Sequence, residues 1–380
     1  MEALVILDET TVFIVVLLFC TLAIISGFLM LWKIPVALKT GRPLKKFHSL
    51  SIIIPARNEE NRLPRLLDSL MRQTKNNVEI IVVDDDSEDA TVSIAQSYGI
   101  QVIQKITEEE WVGKSAACWQ GAKKANGDWL MFLDADTCFE DENSLHQLLE
   151  TYQAVGSSGI LSFQPYHKMT HLYENLSVVF NIILMAGMNV FTPAGDRLKT
   201  AGSFGPCILC KREEYFITGG HKAIQGAIMD DLALGESFSE KDFPVRCYSG
   251  KGSIYFQMYP EGIRTLFEGW TKSFGTAAQS THPLVTSLIA SWISGSFLTL
   301  FALAIGANAT NFTALVLAGF YCIIYLIQFY WLARRVGNFK FYALALYPIL
   351  FVFFIGLFMW SLFLTKVLHR VRWRGRDVNV

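Results

Sequence analysis

Two aspartates one residue apart, Asp134 and Asp136, follow the apolar run Trp129–Leu133. A short apolar run bounded by polar residues reads as a buried strand. Ligands of open α/β sheets collect at the carboxyl ends of such strands. A carboxylate pair there can hold a divalent cation, Mn2+ or Mg2+, and that cation can neutralise a diphosphate. Taken alone, the pair is also readable as a solvated turn. Three more polar clusters lie at or between apolar runs: Pro55-Ala-Arg-Asn-Glu-Glu60, Asp84-Asp-Asp-Ser-Glu-Asp89 and Trp111-Val-Gly-Lys114. Carboxylates accept hydrogen bonds from a base N–H and from ribose hydroxyls. A lysine contacts diphosphate oxygens as a point charge. The set describes a nucleoside-diphosphate site without a Gly-rich phosphate loop, which counts against Walker-type and dinucleotide-binding sites. Asp84–Asp89 alone reads equally as a turn that caps the following helix. Asp230 and Asp231 add a second pair of acids at the start of a helical stretch.

The elements that must position these residues alternate. Strands are expected at Ser51–Ile54, Val78–Val83, Ile100–Ile103 and Trp129–Leu133. Helices are expected over Glu60–Arg72, where Leu63, Leu66, Leu67 and Leu70 fall at helical spacing, over Asp89–Tyr98 and over Ser115–Ala125. Strands alternating with helices imply an α/β fold with a mainly parallel sheet and right-handed crossovers. The carboxyl ends of parallel strands share one edge, so the polar clusters converge on one crevice.

The composition adds a membrane. Hydrophobic residues make up 52% of the 380 and charged residues 18%, apolar for a soluble enzyme. A formal net charge of -1 argues against a nucleic-acid protein, whose affinity would come from a basic surface. Seven cysteines are scattered, and Cys207 and Cys210 form a lone C-x-x-C without a second pair or His pair at zinc spacing, so packed reduced thiols are expected. Thr11–Trp32 is uncharged and long enough to span a bilayer. Lys33, Lys39, Arg42, Lys45 and Lys46 follow it, which places the next segment in the cytoplasm. Leu172–Phe191 is apolar but broken by Glu174, Asn175, Asn181 and Asn189, as in a buried or interfacial helix. Glu261–Phe274 reads either as a helix on the membrane surface or as a core helix of the soluble domain. Leu284–Ile305, Phe312–Leu332 and Phe341–Leu364 are each long enough to span. Three crossings conflict with the basic end at Lys366, Arg370, Arg372, Arg374 and Arg376, which favours the cytoplasm. One segment is therefore expected to be re-entrant or not to cross, with Leu284–Ile305, rich in Ser and Thr, the first suspect and Phe341–Leu364, with Pro348 and Gly356, the second. The expected organisation is an anchor at 1–33, a cytosolic catalytic domain at 48–275, a transmembrane region at 284–365 and a basic tail at 366–380.

From about Leu50 to Trp270 the ordered motifs resemble family 2 glycosyltransferases of GT-A, Rossmann-like fold. The resemblance implies that Pro55, Ala56, Arg57, Glu59 and Asp85 hold the uridine of a UDP-sugar, and that Lys114 approaches its diphosphate. Asp134 would take ribose and metal, and Asp136 the metal. Further segments, among them Gln164-Pro-Tyr-His167, Gly187-Met-Asn-Val-Phe191, Thr218-Gly-Gly-His-Lys222, Glu268-Gly-Trp-Thr-Lys272 and Trp373-Arg-Gly-Arg376, are similar to the glycosyltransferases of staphyloxanthin-type carotenoid biosynthesis. These join glucose from UDP-glucose to the carboxylate of a C30 carotenoid acid. The resemblance thus implies a multi-pass cell-membrane enzyme with a cytoplasmic catalytic domain, a UDP-sugar donor, an apolar acceptor and other pathway enzymes as partners. Processive relatives carry Q-x-x-R-W where this chain has Leu266-Phe-Glu-Gly-Trp270, so single-sugar transfer is expected. The usual Glu-Asp pair appears as Asp230-Asp231, and the later position, Asp231, is the favoured base. His221 and Trp270 are candidates for the acceptor side; His221 is also readable as a satisfied loop histidine. Transfer to polyprenyl phosphate, a hopanoid or diacylglycerol is the nearest alternative, and a silent scaffold or lipid transporter the remote one.

Overall fold

The computed structural model of the chain describes residues 8–42, 48–73, 78–104, 111–227, 229–277, 280–309, 312–365, 370–373 and 376–379. From the amino end the elements run α1 (Glu9–Met30), β1 (Leu50–Ala56), α2 (Leu63–Met71), β2 (Val78–Asp84), α3 (Thr91–Ser97), β3 (Gln101–Gln104), α4 (Lys114–Lys124), β4 (Trp129–Leu133), β5 (Thr137–Phe139), α5 (Ser144–Ala154), β6 (Ile160–Gln164) and β7 (Tyr166–His167). They continue through α6 (Val178–Gly187), β8 (Cys207–Lys211), α7 (Arg212–Ile217), α8 (Gly220–Ala223), α9 (Asp230–Ser239), β9 (Val245–Ser249), β10 (Ile254–Phe256), α10 (Ile263–Ala277), α11 (Pro283–Asn308), α12 (Phe312–Val336), α13 (Phe341–Leu344), α14 (Tyr347–Phe363), β11 (Arg370–Trp373) and β12 (Arg376–Asn379). They pack as two compact units. A sheet unit takes 34–170 and 199–260; a helical unit takes the residues before 34, 171–198 and those after 260. The stretches 171–198 and 261–275 lie inside the 48–275 range of the sequence reading but pack in the helical unit.

The sheet unit is built on a seven-stranded sheet of order β3-β2-β1-β4-β8-β6-β9. Neighbours are parallel from β3 to β4, as the alternating pattern predicts, and β8 then runs antiparallel to both β4 and β6. Side chains alternate faces along a strand. Ile52 and Ile54 therefore join Leu63, Leu66, Leu67 and Leu70 of α2 in one core layer, while Ile53 joins Ala117 and Cys118 of α4 in the other. With both faces covered, β1 and β4 are apolar almost throughout, as parallel strands between helices must be. Cys207 and Cys210 sit three residues apart on β8, so they enter opposite layers as buried free thiols.

The helical unit holds three helices long and apolar enough to cross a membrane among the described residues: α1, α11 and α12. On α1, Phe13, Val16, Cys20, Ala23, Gly27 and Met30 are buried at spacings of three and four, while Ile14, Leu18, Leu22 and Ile25 face outward. Small residues let these helices approach closely. A Cβ at Gly295 would lie 2.6 Å from Cβ of Ala23, and Gln328 Nε2 donates to the Ile24 carbonyl at 2.5 Å. Leu284–Ile305 lies within an unbroken 26-residue helix. The expected span Phe341–Leu364 is instead interrupted. Pro348 has no N–H to give Leu344, so α13 stops and α14 begins afresh. The 17 residues of α14 measure about 25 Å, less than the ~30 Å of a hydrocarbon core. Leu172–Phe191 forms a 3-10 turn (Leu172–Ser177) and the ten-residue α6, buried and too short to span. The amphipathic stretch Glu261–Phe274 becomes α10, which packs Trp270 flat on Phe180 with centroids 4.8 Å apart.

Candidate active site

Four segments of the sheet unit meet at the carboxyl edge of the parallel strands. The register pairs Ala56 with Asp84, so β1 and β2 end side by side. The Asp85 amide donates to the Ala56 carbonyl at 2.9 Å. Asp85 Oδ1 then accepts from the Gly113 amide at 3.2 Å, which ties the β2 edge to the start of α4. Gly113 has φ +98°, a conformation that costs other residues dearly, and Lys114 is the first residue of the helix it starts. Glu59 is buried and receives the Arg62 guanidinium at 3.5 Å. Pro55 and Ala56 close β1, and Arg57 stands half-buried just beyond.

Lys114 bridges the site. Its Nζ lies 2.9 Å from Asp134 Oδ1 and 3.3 Å from Asp231 Oδ1. Burial opposes its charge, but Asp134, Asp231 and Asp230 outweigh burial and hold its pKa well above the usual value. Asp134 is fixed by its backbone: its amide donates to Pro206, and its carbonyl accepts from the Thr137 amide and hydroxyl. Asp136 follows two residues on, between β4 and β5. Among the described residues no group of three His, Cys, Asp or Glu forms a metal cage. The Asp134 and Asp136 pair still fits a hard divalent cation, because Mg2+-type ions commonly take one or two carboxylates and complete their shell with phosphate oxygens and water.

Asp230 and Asp231 open α9. Asp230 Oδ2 accepts from Ser115 Oγ at 3.0 Å, and the Asp231 carbonyl accepts from Ser203 Oγ at 2.7 Å. The Asp231 carboxylate rests against bare backbone: a Cβ at Gly205 would lie 1.7 Å from its Oδ2. Burial, then the charge of Asp230, pushes its pKa up to about 7, with Lys114 pulling the other way.

The structure thus brings together Asp85, Lys114, Asp134, Asp230 and Asp231. It places His221 and Trp270 differently. His221 is 1% exposed in the sheet-unit core, with Nδ1 2.9 Å from the Tyr215 hydroxyl and its ring edge-on to Phe132. Burial holds its pKa down at about 4. Tyr215 satisfies one ring nitrogen, and the charges of Asp230 and Lys114 also reach the ring. Trp270 is 2% exposed in the helical unit, and its Nε1 donates to Ser177 Oγ at 2.9 Å. Ser115, Ser203 and Gly205 escaped the sequence reading. Ser115 adjoins Lys114 and Gly205 closes a Gly-rich stretch, but which acid they serve emerges only from the folded chain.

Residues 51–213 match the family described as "Glycosyl transferase family 2". A 4,4′-diaponeurosporenoate glycosyltransferase of Staphylococcus aureus strain USA300 is 38% identical over 337 residues, covering 87% of this chain and 88% of the relative. This chain belongs to glycosyltransferase family 2. It is a glycosyltransferase of GT-A fold with apolar helices at both ends. The corresponding protein of S. aureus strain MRSA252 is 37% identical over the same coverage. Among solved structures, a mannosyltransferase from Pyrobaculum calidifontis, in complex with GDP-Man and Mn2+, superposes with a TM-score of 0.54 at 16% identity. That superposition covers 92% of this chain and 99% of the other, and it shows the shared fold.

Proposed function

We propose that this family 2 glycosyltransferase moves one glucose from UDP-glucose to the carboxylate of a C30 carotenoid acid resembling 4,4′-diaponeurosporenoate. The observation that carries the reading is the Lys114 bridge between Asp134 and Asp231, which sets a cation beside a candidate metal ligand and a candidate acceptor-side acid. The acceptor rests on the name and 38% identity of the Staphylococcus relative.

In this mechanism Arg57, Glu59 and Asp85, with Pro55 and Ala56, hold the uridine, and Asp134 takes the ribose. A divalent cation on Asp136 and Asp134 would supply charge neutralisation to the diphosphate. An acceptor oxygen attacks the anomeric carbon as its bond to the diphosphate breaks, and the bonding pair leaves with UDP. Lys114 stabilises that departing charge from a fixed position, the kind of electrostatic contribution that is often largest. A carboxylic acid acceptor, with an ordinary pKa of about 4, needs no proton removed near pH 7. Asp231 then orients acceptor or sugar, and it serves as base only for a hydroxyl acceptor. Leu266-Phe-Glu-Gly-Trp270, which departs from the processive motif, supports transfer of a single sugar.

The interrupted fourth segment supports a membrane arrangement. If α1, α11 and α12 cross and α14 does not, the residues after Lys33 and those after α12 share one side. Both boundaries carry positive charge, Lys33, Lys39 and Arg42 after α1, and Arg334 and Arg335 in the last turn of α12 with Lys340 beyond it, which favours the cytoplasm.

The test uses membranes containing the protein, labelled UDP-glucose, Mn2+ or Mg2+, and the C30 acid present or absent, beside Asp136→Ala. Label in the lipid phase that needs both acid and metal supports the proposal. Label without the acid keeps the transferase and moves the acceptor to a host lipid.

A further inference from the structure

We propose that Asn58 and Ser87 form a clasp that positions the two uridine-binding loops and so sets donor affinity without touching the reacting atoms. The proposal rests on the nucleotide site described above. The β1–α2 and β2–α3 loops leave neighbouring parallel strands and are laced to each other by reciprocal bonds. The Asn58 amide donates to Ser87 Oγ at 3.0 Å, and the Glu88 amide donates to Asn58 Oδ1 at 2.8 Å. A second pair repeats the pattern: the Glu60 amide donates to Asp89 Oδ2 at 3.1 Å, and the Ala90 amide donates to Glu60 Oε2 at 3.0 Å. Below both, the Glu59 amide donates to Thr91 Oγ1 at 2.8 Å.

The first four bonds each join a side chain of one loop to a backbone amide of the other, and the fifth ties the first loop to Thr91 at the start of α3, so the two loops are coupled. Asn58 and Asp86 have φ of +52° and +68°, left-handed backbone that asparagine and aspartate adopt more readily than other non-glycine residues, as suits the turn of each loop. The residues assigned to the uridine flank the clasp: Arg57 and Glu59 on either side of Asn58, and Asp85 two residues before Ser87. Thr91 is fully buried and anchors the core, but Asn58 is exposed and Ser87 only half-buried. The clasp is therefore separable from the hydrophobic core. Its work is to hold Arg57, Glu59 and Asp85 in one arrangement before the nucleotide arrives, which spares ordering cost on binding.

The experiment compares Asn58→Gly, Ser87→Ala, the double variant and Ser87→Thr in the full-length membrane protein. Asn58→Gly keeps the left-handed backbone and removes the acceptor of the Glu88 bond. The readouts are KM for UDP-glucose, kcat, UDP affinity by calorimetry and melting temperature. Each single variant should raise KM and the UDP dissociation constant by about 5- to 10-fold, the loss of one or two hydrogen bonds, with kcat within about twofold. The double should exceed the worse single by no more than about twofold, since one clasp is already open. Ser87→Thr, which keeps the hydroxyl, should restore near wild-type affinity. Unchanged affinity in both single variants, or a fall confined to kcat or to melting temperature, would overturn the clasp. Fully multiplicative losses in the double would overturn its unity. Failure of the wild-type protein to bind UDP would instead overturn the nucleotide reading, and this inference with it.

Discussion

Gly205→Ala is the most informative small change at this site. The new Cβ would stand 1.7, 2.0 and 2.3 Å from Oδ2, Cγ and Oδ1 of Asp231. To regain ordinary van der Waals spacing the carboxylate must retreat by roughly 1.5 to 2 Å. Gly205 is outside the left-handed region, so the perturbation is steric and not a backbone strain. The retreat breaks the 3.3 Å contact with Lys114. A displacement of about 1 Å in a positioned catalytic group costs on the order of 100-fold in rate, or about 2.7 kcal/mol of barrier. The expected result is a kcat about 100-fold lower with UDP affinity within twofold of wild type, read by transfer of labelled glucose and by calorimetry. Adding Asp231→Ala removes the atoms that clash, so the double variant should melt above Gly205→Ala alone. A Gly205→Ala enzyme that keeps half its kcat, or that loses UDP binding in parallel with rate, would refute the placement of Asp231.

The raised pKa of Asp231 gives two pH signatures. Transfer to a hydroxyl acceptor needs the ionised form, so its rate should climb as pH rises toward about 7 and then level off, whereas transfer to a carboxylic acid lacks that rise. For stability, the folded protein keeps a proton on Asp231 between its ordinary value of 3.8 and about 7 that the unfolded chain releases, so stability falls as pH rises through that window. Melting curves at pH 5 and 8 should show this slope in wild type and a weaker one in Asp231→Asn. Chelation should abolish transfer, and Asp136→Ala should lose rescue by added Mn2+ while retaining its melting temperature. Trp270→Ala removes a buried indole and the bond to Ser177, a loss of about 3 to 5 kcal/mol, and should lower the melting temperature while Trp270→Phe recovers most of it.

Much of the sheet unit was legible because its signals are local. Runs such as Ser51–Ile54 and Trp129–Leu133 are short, apolar and bounded by polar residues, and the spacing of Leu63, Leu66, Leu67 and Leu70 admits one helical face. The acids that lead out of those strands inherit their position from the sheet edge, so their convergence with Lys114 on one crevice could be expected, although the Lys114–Asp134 ion pair itself could not. What escaped depends on contacts between distant segments. Gly205 serves Asp231, and Asn58 serves Ser87 across two loops; neither partner is marked in the sequence. His221 followed two glycines like a loop residue, yet Tyr215, six positions back, draws it into the core. Average hydropathy kept Phe341–Leu364 as a span, and Pro348 made it only the second suspect, whereas the chain breaks there and leaves the first suspect, Leu284–Ile305, within an unbroken helix. Trp270 sits in a stretch whose aromatic residues suit a membrane surface as well as a protein core, and its burial on Phe180 within the helical unit depends on a contact that the sequence does not mark.

The central claim is a single glucosyl ester on a carotenoid acid. It is tested most directly by mass spectrometry of the pigment recovered after reaction of the full-length protein with UDP-glucose and the C30 acid. The account predicts a product heavier by one hexosyl residue that mild alkali returns to the starting acid, absent with Asp136→Ala. Pigment carrying several hexoses, an alkali-stable linkage, or unaltered carotenoid beside a glucosylated host lipid would contradict it.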